Sequence, residues 1–414
     1  MISFSRFTLD NGMRVIVHND SSTPLVAMNL LYDTGSKDED PSKTGMAHLF
    51  EHLMFCGSAN IPEYDLPLQL AGGENNAFTN NDITDYYLTI PAGNIETAFW
   101  LESDRMLQPA FTQEKLDVQK NVVIEEFKQR YLNQPYGDSM HLLRALAYKV
   151  HPYRWPTIGM DISHVAGVTM EDALNFFRTF YSPRRAVLAL AGNISPDKAF
   201  YLAEKWFGPI NGEIQLARNL PQEPSQNEAR DTCVERDVPA DALYKAWHVG
   251  RRGDSDYYTI DLLTDLLAGG DSGRLYNRLV RELRMFSEIN AYITADIEPG
   301  LIIMTGKIIS GTDLKEAESA LNEVIDNLKD KEPAEVEMEK VKNKFESATV
   351  LSNTNIMNKA LNLSVNELLG DPGLINTEVE RYRAVTGRMA SEAARKYLDS
   401  GNCTTLYYKS SGKK

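Results

Sequence analysis

The chain has few cysteines, and none of them suggests a disulfide framework. Cys56, Cys233 and Cys403 stand far apart among 414 residues, and no two form a C-x-x-C pair. This spacing favours a protein of a reducing compartment. Cys56 lies near the histidine pair described below, but a single cysteine is by default a small buried apolar residue.

Long apolar runs and excess positive charge are absent as well. No apolar run reaches about 18 residues, so no membrane-spanning helix is expected. The N-terminal residues 1–6 lack a basic segment followed by an apolar one, which favours a cytoplasmic protein, or a periplasmic one if a leader had been removed.

Lys and Arg number 43 against 58 Asp and Glu, a net charge of −15. That balance argues against nucleic acid or an anionic membrane as a partner.

Histidine is scarce too, yet two of the seven histidines lie four residues apart. Residues 48–52 read H-x-x-E-H, with His48, Glu51 and His52 as the fixed positions. A helix advances about 100° per residue, so these three side chains share one face. The opposite face is apolar and consists of Met46, Leu49, Phe50 and Leu53. The segment 45–55 therefore predicts a helix packed on a core with two imidazoles and a carboxylate in front.

This arrangement suits zinc hydrolysis. Two neutral imidazoles at this spacing can bind one Zn²⁺, and the carboxylate beside them can take a proton from the water that the metal activates. The order of the motif is that of the inverted zinc peptidases. The same ligands would accept Co²⁺ or Mn²⁺. The alternative is a partly buried helix with two chance histidines.

A two-histidine zinc site needs a third protein ligand and an open position. The helix predicted over 112–132 offers Glu125 and Glu126. Glu126 has Val122 and Val123 one turn before it, which places it nearer the apolar side. A cation there would relieve the cost of burying a carboxylate. Periodicity thus favours Glu126 and leaves Glu125, which fits a solvated face better, as the alternative.

The length of the chain predicts two domains. Residues 213–231 are polar and form the best linker candidate, between a domain at 1–212 and a domain at 232–414. The second half holds no comparable histidine pair and is expected to be a copy without the metal.

Predicted strands lie at 13–18, 25–32, 85–90, 186–191, 244–249, 301–309 and 404–408. Predicted helices lie at 45–55, 94–106, 112–132, 196–207 and 257–267, and Asn11-Gly12 predicts a hairpin turn.

Several segments together carry a family resemblance. They are GMAHLFEHLMF at 45–55, GGENNAFT at 72–79 followed by Asp82-x-Thr84-x-Tyr86, LESDRM at 101–106, NVVIEE at 121–126 and HPY at 151–153. The chain resembles the pitrilysin/insulinase family of zinc metallopeptidases, most closely its short bacterial members related to the mitochondrial processing peptidase. The resemblance implies an α+β fold of two similar domains, each a mostly antiparallel β-sheet with α-helices packed on one face.

The resemblance also implies roles for individual residues. His48, His52 and Glu126 would bind one zinc ion per chain, and Glu51 would be the general base. The segment formed by Asn76, Ala77, Phe78 and Thr79 would be an edge strand to which a peptide substrate adds as a further strand. Asp82 and Tyr86 would support the site, although a tyrosine alternating in a strand usually packs.

Two departures from the family pattern stand out. Gln119 occupies a position that is often glutamate in the family, which removes a charged supporting group. Self-sufficient members also carry an Arg and a Tyr seven residues apart in the second half, whereas here Tyr292 has Met285 at that spacing. The nearest arginines are Arg284 and Arg281. This implies a heterodimer in which a related subunit supplies the pair, with a homodimer as the alternative assembly.

The expected function is therefore that of a zinc-dependent endopeptidase. It would hydrolyse short or unfolded peptides in an enclosed chamber, as the zinc-bearing subunit of a two-chain enzyme. One alternative is a catalytically silent assembly or peptide-binding subunit of the same fold. Another is a zinc hydrolase of a different bond, such as an amidase.

Overall fold

The computed structural model describes residues 1–213 and 218–412, which form two compact units. The first unit comprises Met1–Lys128, Trp155–Leu220 and Val350–Thr377, and the second comprises Gln129–Arg154, Pro221–Thr349 and Glu378–Lys414. The expected domains at 1–212 and 232–414 were continuous, whereas each compact unit includes a segment from the other half of the sequence. Residues 214–217, which belong to the expected linker 213–231, lie outside the described residues.

Eleven strands are found in the described part of the chain. They are β1 (Ser5–Thr8), β2 (Arg14–Asn19), β3 (Leu25–Tyr32), β4 (Glu74–Thr79), β5 (Thr84–Pro91), β6 (Ala186–Gly192), β7 (Arg230–Arg236), β8 (Ala242–His248), β9 (Phe286–Ile293), β10 (Leu301–Ile308) and β11 (Cys403–Ser410).

Fourteen α-helices are found in the same residues. They are α1 (Met46–Leu53), α2 (Asp65–Leu70), α3 (Ile95–Leu107), α4 (Gln113–Phe127), α5 (Ser139–Ala147), α6 (Ile162–Ala166), α7 (Met170–Phe180), α8 (Pro196–Phe207), α9 (Tyr257–Ala268), α10 (Leu314–Asp330), α11 (Glu335–Ser352), α12 (Ile356–Leu368), α13 (Leu374–Ala384) and α14 (Gly387–Tyr397). Helix α4 continues as a π-helical turn at Lys128–Leu132, and a second π-helical segment spans Tyr276–Glu282.

The two sheets share one topology. The first sheet has the order β1-β2-β6-β3-β5-β4, and the second has the order β7-β11-β8-β10-β9. We set β1 aside and number the five remaining strands of each sheet in chain order. Their order across the sheet is then first, fifth, second, fourth, third in both sheets. The first and fifth strands are parallel in both sheets, and every other pair is antiparallel. The strand β1 is an addition that joins β2 through the hairpin predicted at Asn11-Gly12, where Gly12 has a φ of 90°.

Helices cover both faces of each sheet. In the first unit Arg105 of α3 stacks on Tyr86 of β5, while Ser364 of α12 bonds to Asn29 of β3 on the opposite face. In the second unit α5 packs on alternate residues of β8, and α9, α10 and α14 pack on the other set. The covering helices α12 and α5 each come from the other half of the sequence. The predicted α+β fold of two similar, mostly antiparallel sheets is confirmed, and these two helices add a layer that the sequence did not predict.

Among the residues described, no helix combines the length and the apolar character needed to span a bilayer.

Candidate metal centre

Helix α1 presents both histidines on its exposed side. Its buried residues are Met46, Ala47, Leu49, Phe50 and Leu53. His48, Glu51 and His52 are half-buried. The helix begins after Gly45, whose φ of 91° is a conformation that glycine adopts without strain. The orientation is the one that the 3.6-residue periodicity predicts.

A buried carboxylate caps the start of α1. The side chain of Glu39 accepts hydrogen bonds from the backbone N–H groups of Gly45 (2.9 Å) and Ala47 (2.8 Å). Glu39 is 6% exposed, and its burial raises its pKa well above the usual value, although the two amide donors oppose that shift. Glu39 therefore fixes the helix that carries the histidines.

Helix α4 separates the two candidate glutamates. The Glu125 side chain is 70% exposed, and its carboxylate accepts a hydrogen bond from Lys128 Nζ at 2.6 Å. The Glu126 side chain is 18% exposed and faces α1. Two adjacent residues of one helix thus have different environments: Glu125 forms a solvated ion pair, and Glu126 faces the histidine pair.

The three candidate ligands converge on one point. The Oε2 atom of Glu126 lies 3.7 Å from His48 Nε2 and 3.6 Å from His52 Nε2. One ligand atom from each residue lies within 4.8 Å of the other two. The imidazole rings are nearly perpendicular, with an interplanar angle of 89° and ring centroids 4.9 Å apart. In the described residues this is the one group of three or more such side chains that could hold a metal ion.

The spacing of these atoms suits a tetrahedral zinc ion. Ligand atoms about 2.1 Å from a tetrahedral zinc lie about 3.4 Å from one another. The two His–Glu distances exceed that value by only a few tenths of an ångström. Two imidazoles and one carboxylate are also a donor set that catalytic zinc sites use, with a fourth position for water. That these residues bind zinc stays a prediction.

Glu51, the predicted general base, lies between α1 and the edge of the first sheet. Its Oε2 atom accepts a hydrogen bond from Thr79 Oγ1 at 2.5 Å. Thr79 is the last residue of β4. Burial raises the pKa values of the Tyr86 and Tyr181 phenols, and the nearby charge of Glu51 adds a smaller shift in the same direction. Both phenols therefore stay protonated at neutral pH.

Strand β4, which holds the predicted substrate-binding residues, is the terminal strand of its sheet. Residues of a strand alternate between its two faces. Ala77 pairs with Tyr86 and Thr79 pairs with Thr84, on the face that carries α1. Asn76 and Phe78 therefore point to the opposite face, where the Phe78 ring lies 6.4 Å from that of Tyr87. The four predicted residues share an edge but not a face.

The predicted supporting residues Tyr86 and Asp82 have partners within the protein. Tyr86 is 1% exposed, and its hydroxyl lies 2.9 Å from that of Tyr181. Asp82 forms a buried ion pair with Lys37, with 2.6 Å between Oδ1 and Nζ. Lys37 belongs to the loop that leads into α1, so this ion pair ties the loop to the turn after β4.

Gln119 and Cys56 lie beside the site. Burial raises the pKa of the Cys56 thiol, and a hydrogen bond with Gln119 opposes that shift. The thiol donates weakly to the backbone oxygen of His52 at 3.7 Å. Cys56 is not part of the cluster of possible metal ligands.

The second unit contains the residues that stand where self-sufficient family members have the Arg/Tyr pair. Tyr292 lies on β9 and is 41% exposed, and its hydroxyl contacts Met140 Sδ at 3.9 Å. Met285 directly precedes β9, and Arg284 has a φ of 53°. Arg281 lies in the π-helical segment, with its guanidinium 5.6 Å from the centroid of the Tyr276 ring.

Sequence reasoning missed two features of the first unit. One is the Glu39 cap, for which an acidic residue in the polar loop before an apolar helix was a usable signal. The other is the fully buried Arg105, which bonds to Glu102 and lies over the rings of Tyr86 and Tyr64. A pair of opposite charges three residues apart, Glu102 and Arg105, was the signal for it.

Two family models match successive parts of the chain. The model "Insulinase (Peptidase family M16)" matches residues 14–159, and "Peptidase M16 inactive domain" matches residues 167–345. The first match contains His48, His52 and Glu126. The second covers most of the half that holds no histidine pair.

Curated relatives agree with these matches. The chain is 28% identical to the zinc protease PqqE of Helicobacter pylori over 81% of this chain and 77% of that protein. It is 26% identical to the uncharacterized zinc protease YmxG of Bacillus subtilis over 88% of each chain. Among solved structures, a protease from Helicobacter pylori has the same fold, with a TM-score of 0.93 at 23% identity over 99% of this chain and 100% of that one. The predicted family is thereby confirmed: the chain belongs to the insulinase family of peptidases, peptidase family M16.

Proposed function

We propose that this chain is a zinc-dependent endopeptidase. The observation that carries the proposal is the convergence of His48, His52 and Glu126, whose ligand atoms lie within 4.8 Å of one another beside Glu51. The names of the relatives as zinc proteases support the same reading.

Each residue has a distinct task in this proposal. His48 and His52 coordinate through Nε2, and Glu126 coordinates through its carboxylate. Zinc, when bound, supplies a Lewis acid that polarises the scissile carbonyl and lowers the pKa of a water in its open position. Glu51 accepts the proton of the attacking water and passes it to the leaving amine.

The substrate in this proposal is an extended peptide that adds to β4. The strand ends its sheet, so its outer edge offers backbone groups to a further strand. Backbone pairing reads few side chains and so suits a loose sequence preference. Confinement in an enclosed chamber would limit the substrates to short or unfolded peptides.

A second chain completes the enzyme in this proposal. Tyr292 has Met285 in place of an arginine seven residues before it, so the Arg/Tyr pair that holds substrate would come from a related subunit in a heterodimer. A homodimer, whose second copy also lacks the pair, is the alternative assembly. If the purified chain alone cleaves peptides at a rate that an added subunit carrying this pair does not raise, the two-chain proposal is wrong.

A catalytically silent assembly or peptide-binding subunit is the second candidate. The match to an "inactive domain" model favours it. That match covers residues 167–345, however, and leaves out all three ligands and Glu51. A silent subunit would have no need to keep this set of side chains together.

We also propose a cytoplasmic location, from the scarcity and spacing of cysteines. A periplasmic location is the alternative. Detection of the native chain in fractionated cells of its source separates the two.

The test of the proposed function is Glu51→Gln. The variant removes the base and keeps the three ligands, so zinc content should stay near one ion per chain while hydrolysis of a quenched peptide mixture falls by at least about 100-fold. Glu125→Gln, a change of the same type at an exposed site in an ion pair, serves as the control and should leave both properties unchanged. A silent subunit would show no metal-dependent hydrolysis in the unsubstituted protein, even with its partner.

A further inference from the structure

The hydroxyl of Thr79 contacts the carboxylate of Glu51, with 2.5 Å between Oγ1 and Oε2. We propose that Thr79 is a positioning residue for the general base and that its side chain does not contact substrate. The inference rests on the proposed function, because it assigns a task within that same site. It differs from the family resemblance, which placed Thr79 with the substrate-binding residues.

The position of Thr79 on its strand directs the hydroxyl toward α1. Thr79 pairs with Thr84 across the sheet, and two residues earlier Ala77 pairs with Tyr86. Tyr86 packs against Tyr181 on the face that carries α1, so Thr79 points to that face as well. Its side chain is directed at the helix and away from the outer edge, where a peptide would pair with the backbone of β4.

The backbone around Thr79 is held firmly. The Thr84 hydroxyl donates to Thr34 O at 3.1 Å, and the turn after β4 closes with a bond from Asn80 N to Ile83 O at 2.9 Å. Lys37 N also donates to Asn81 O at 2.9 Å. Because threonine is branched at Cβ, its χ1 angle has few allowed values. The hydroxyl therefore occupies a fixed place relative to α1.

A fixed donor at one carboxylate oxygen sets the direction of the other. Glutamate has three rotatable bonds, and its last torsion is broad. A hydrogen bond to Oε2 limits that torsion and so narrows the range of positions that Oε1 can take. A general base must lie within about 2.6–3.2 Å of the proton that it takes, so an unrestrained carboxylate would often be out of reach.

This geometry separates the effect of Thr79 on catalysis from any effect on binding. Peptide addition to β4 uses backbone groups, which a change of the Thr79 side chain leaves in place. Loss of the hydroxyl should therefore lower kcat and leave KM unchanged. A side chain that contacted the peptide would instead change KM.

The experiment compares Thr79→Val, Thr79→Ser and Thr89→Val in the zinc-loaded chain with whatever partner it needs for activity. Valine keeps the branched shape and removes the hydroxyl, while serine restores the donor. Thr89 is a matched control because its hydroxyl also donates to a glutamate, Glu74, at the other end of the same strand pair (3.0 Å). Zinc content and crystal structures of the three variants supply readouts that do not depend on activity.

We expect Thr79→Val to lower kcat by roughly 10- to 100-fold at unchanged KM and zinc content. Its crystal structure should show the Glu51 carboxylate rotated or in more than one rotamer. Thr79→Ser should recover most of the rate, and Thr89→Val should behave as the unsubstituted chain.

Either of two results overturns the inference. One is an unchanged kcat with Glu51 in its original rotamer in Thr79→Val. The other is a rise in KM at constant kcat, which would make Thr79 a substrate contact. In both cases Glu51→Gln would still abolish hydrolysis, so the proposed function would stand. If Glu51→Gln is fully active, the proposed function fails and the positioning role fails with it.

Discussion

Glu125 and Glu126 are adjacent on α4, yet their carboxylates have different partners. That of Glu125 is exposed and accepts a hydrogen bond from Lys128, whereas that of Glu126 lies 3.6 Å from His52 Nε2. A rotation of about 100° along the helix produces this difference. The pair supplies a matched comparison in which only one of two like side chains belongs to the proposed metal site.

Glu126→Gln should lower zinc affinity, and Glu125→Gln should not. An amide is a much poorer zinc ligand than a carboxylate, and loss of a residue that merely holds a ligand already costs about 10–100-fold. We expect more than about 100-fold for Glu126→Gln in a competition titration with a chromophoric chelator. Equal affinity in the two variants would remove Glu126 from the site.

Glu39→Ala should destabilise the first unit and weaken the metal site. The change leaves the N–H groups of Gly45 and Ala47 buried without their acceptor. An unsatisfied buried donor costs about 1–3 kcal/mol, so the free energy of unfolding should fall by that amount or more. Urea unfolding of the zinc-free chain measures the loss. Asp40→Ala, at an exposed neighbour whose carboxylate accepts hydrogen bonds from Ser42, is the control and should cost less than about 1 kcal/mol.

Asp85 should make stability depend on pH. Burial raises its pKa to about 7, although the hydrogen bond from Asn29 Nδ2 (2.7 Å) opposes the shift. A carboxyl whose pKa is higher in the folded state binds more protons when folded than when unfolded. The contribution of Asp85 to the free energy of unfolding is therefore fully present below the pKa that it has in the unfolded chain. That contribution is lost as the pH rises through 7, by up to about 4 kcal/mol.

Asp85→Asn removes this ionisation and keeps an acceptor for Asn29. The stability of the variant relative to the unsubstituted chain should therefore increase between pH 5 and pH 8. Urea midpoints of the two zinc-free proteins at both pH values give the comparison. A difference that is the same at pH 5 and pH 8 would show that Asp85 does not titrate in this range.

Arg105→Leu should cost about 3–5 kcal/mol, because it leaves Glu102 as a buried charge without its cation. Adding Glu102→Gln to the same chain should recover part of the loss, because the second change removes the unpaired charge. Thermal unfolding of the two single variants and the double variant gives the coupling free energy between Arg105 and Glu102. Additive losses would show that the two side chains act independently.

The sequence predicted the features that depend on local spacing. The buried and exposed sides of α1 follow from the positions of His48 and His52 among apolar residues. The choice of Glu126 over Glu125 rests on Val123, which is buried, whereas Val122, the other residue used for it, is 44% exposed. The duplicated α+β organisation followed from the similar order of elements in the two halves.

Contacts between distant residues were beyond such reasoning. Ser364 and Asn29 meet across 335 positions, and Thr79 and Glu51 meet across 28 positions between a strand and a helix. Periodicity within one element carries no information on either contact. Alternation along β4 could have shown that Asn76 and Phe78 face away from Thr79, but the resemblance grouped these residues by sequence alone.

The most direct test of the zinc site is a crystal structure of the zinc-loaded chain with anomalous diffraction data collected on both sides of the zinc absorption edge. We predict one strong anomalous peak per chain, about 2.0–2.2 Å from His48 Nε2, His52 Nε2 and a carboxylate oxygen of Glu126. A map with no peak between these three residues, or a zinc ion bound at other residues, would contradict the proposed metal centre and the peptidase function that depends on it.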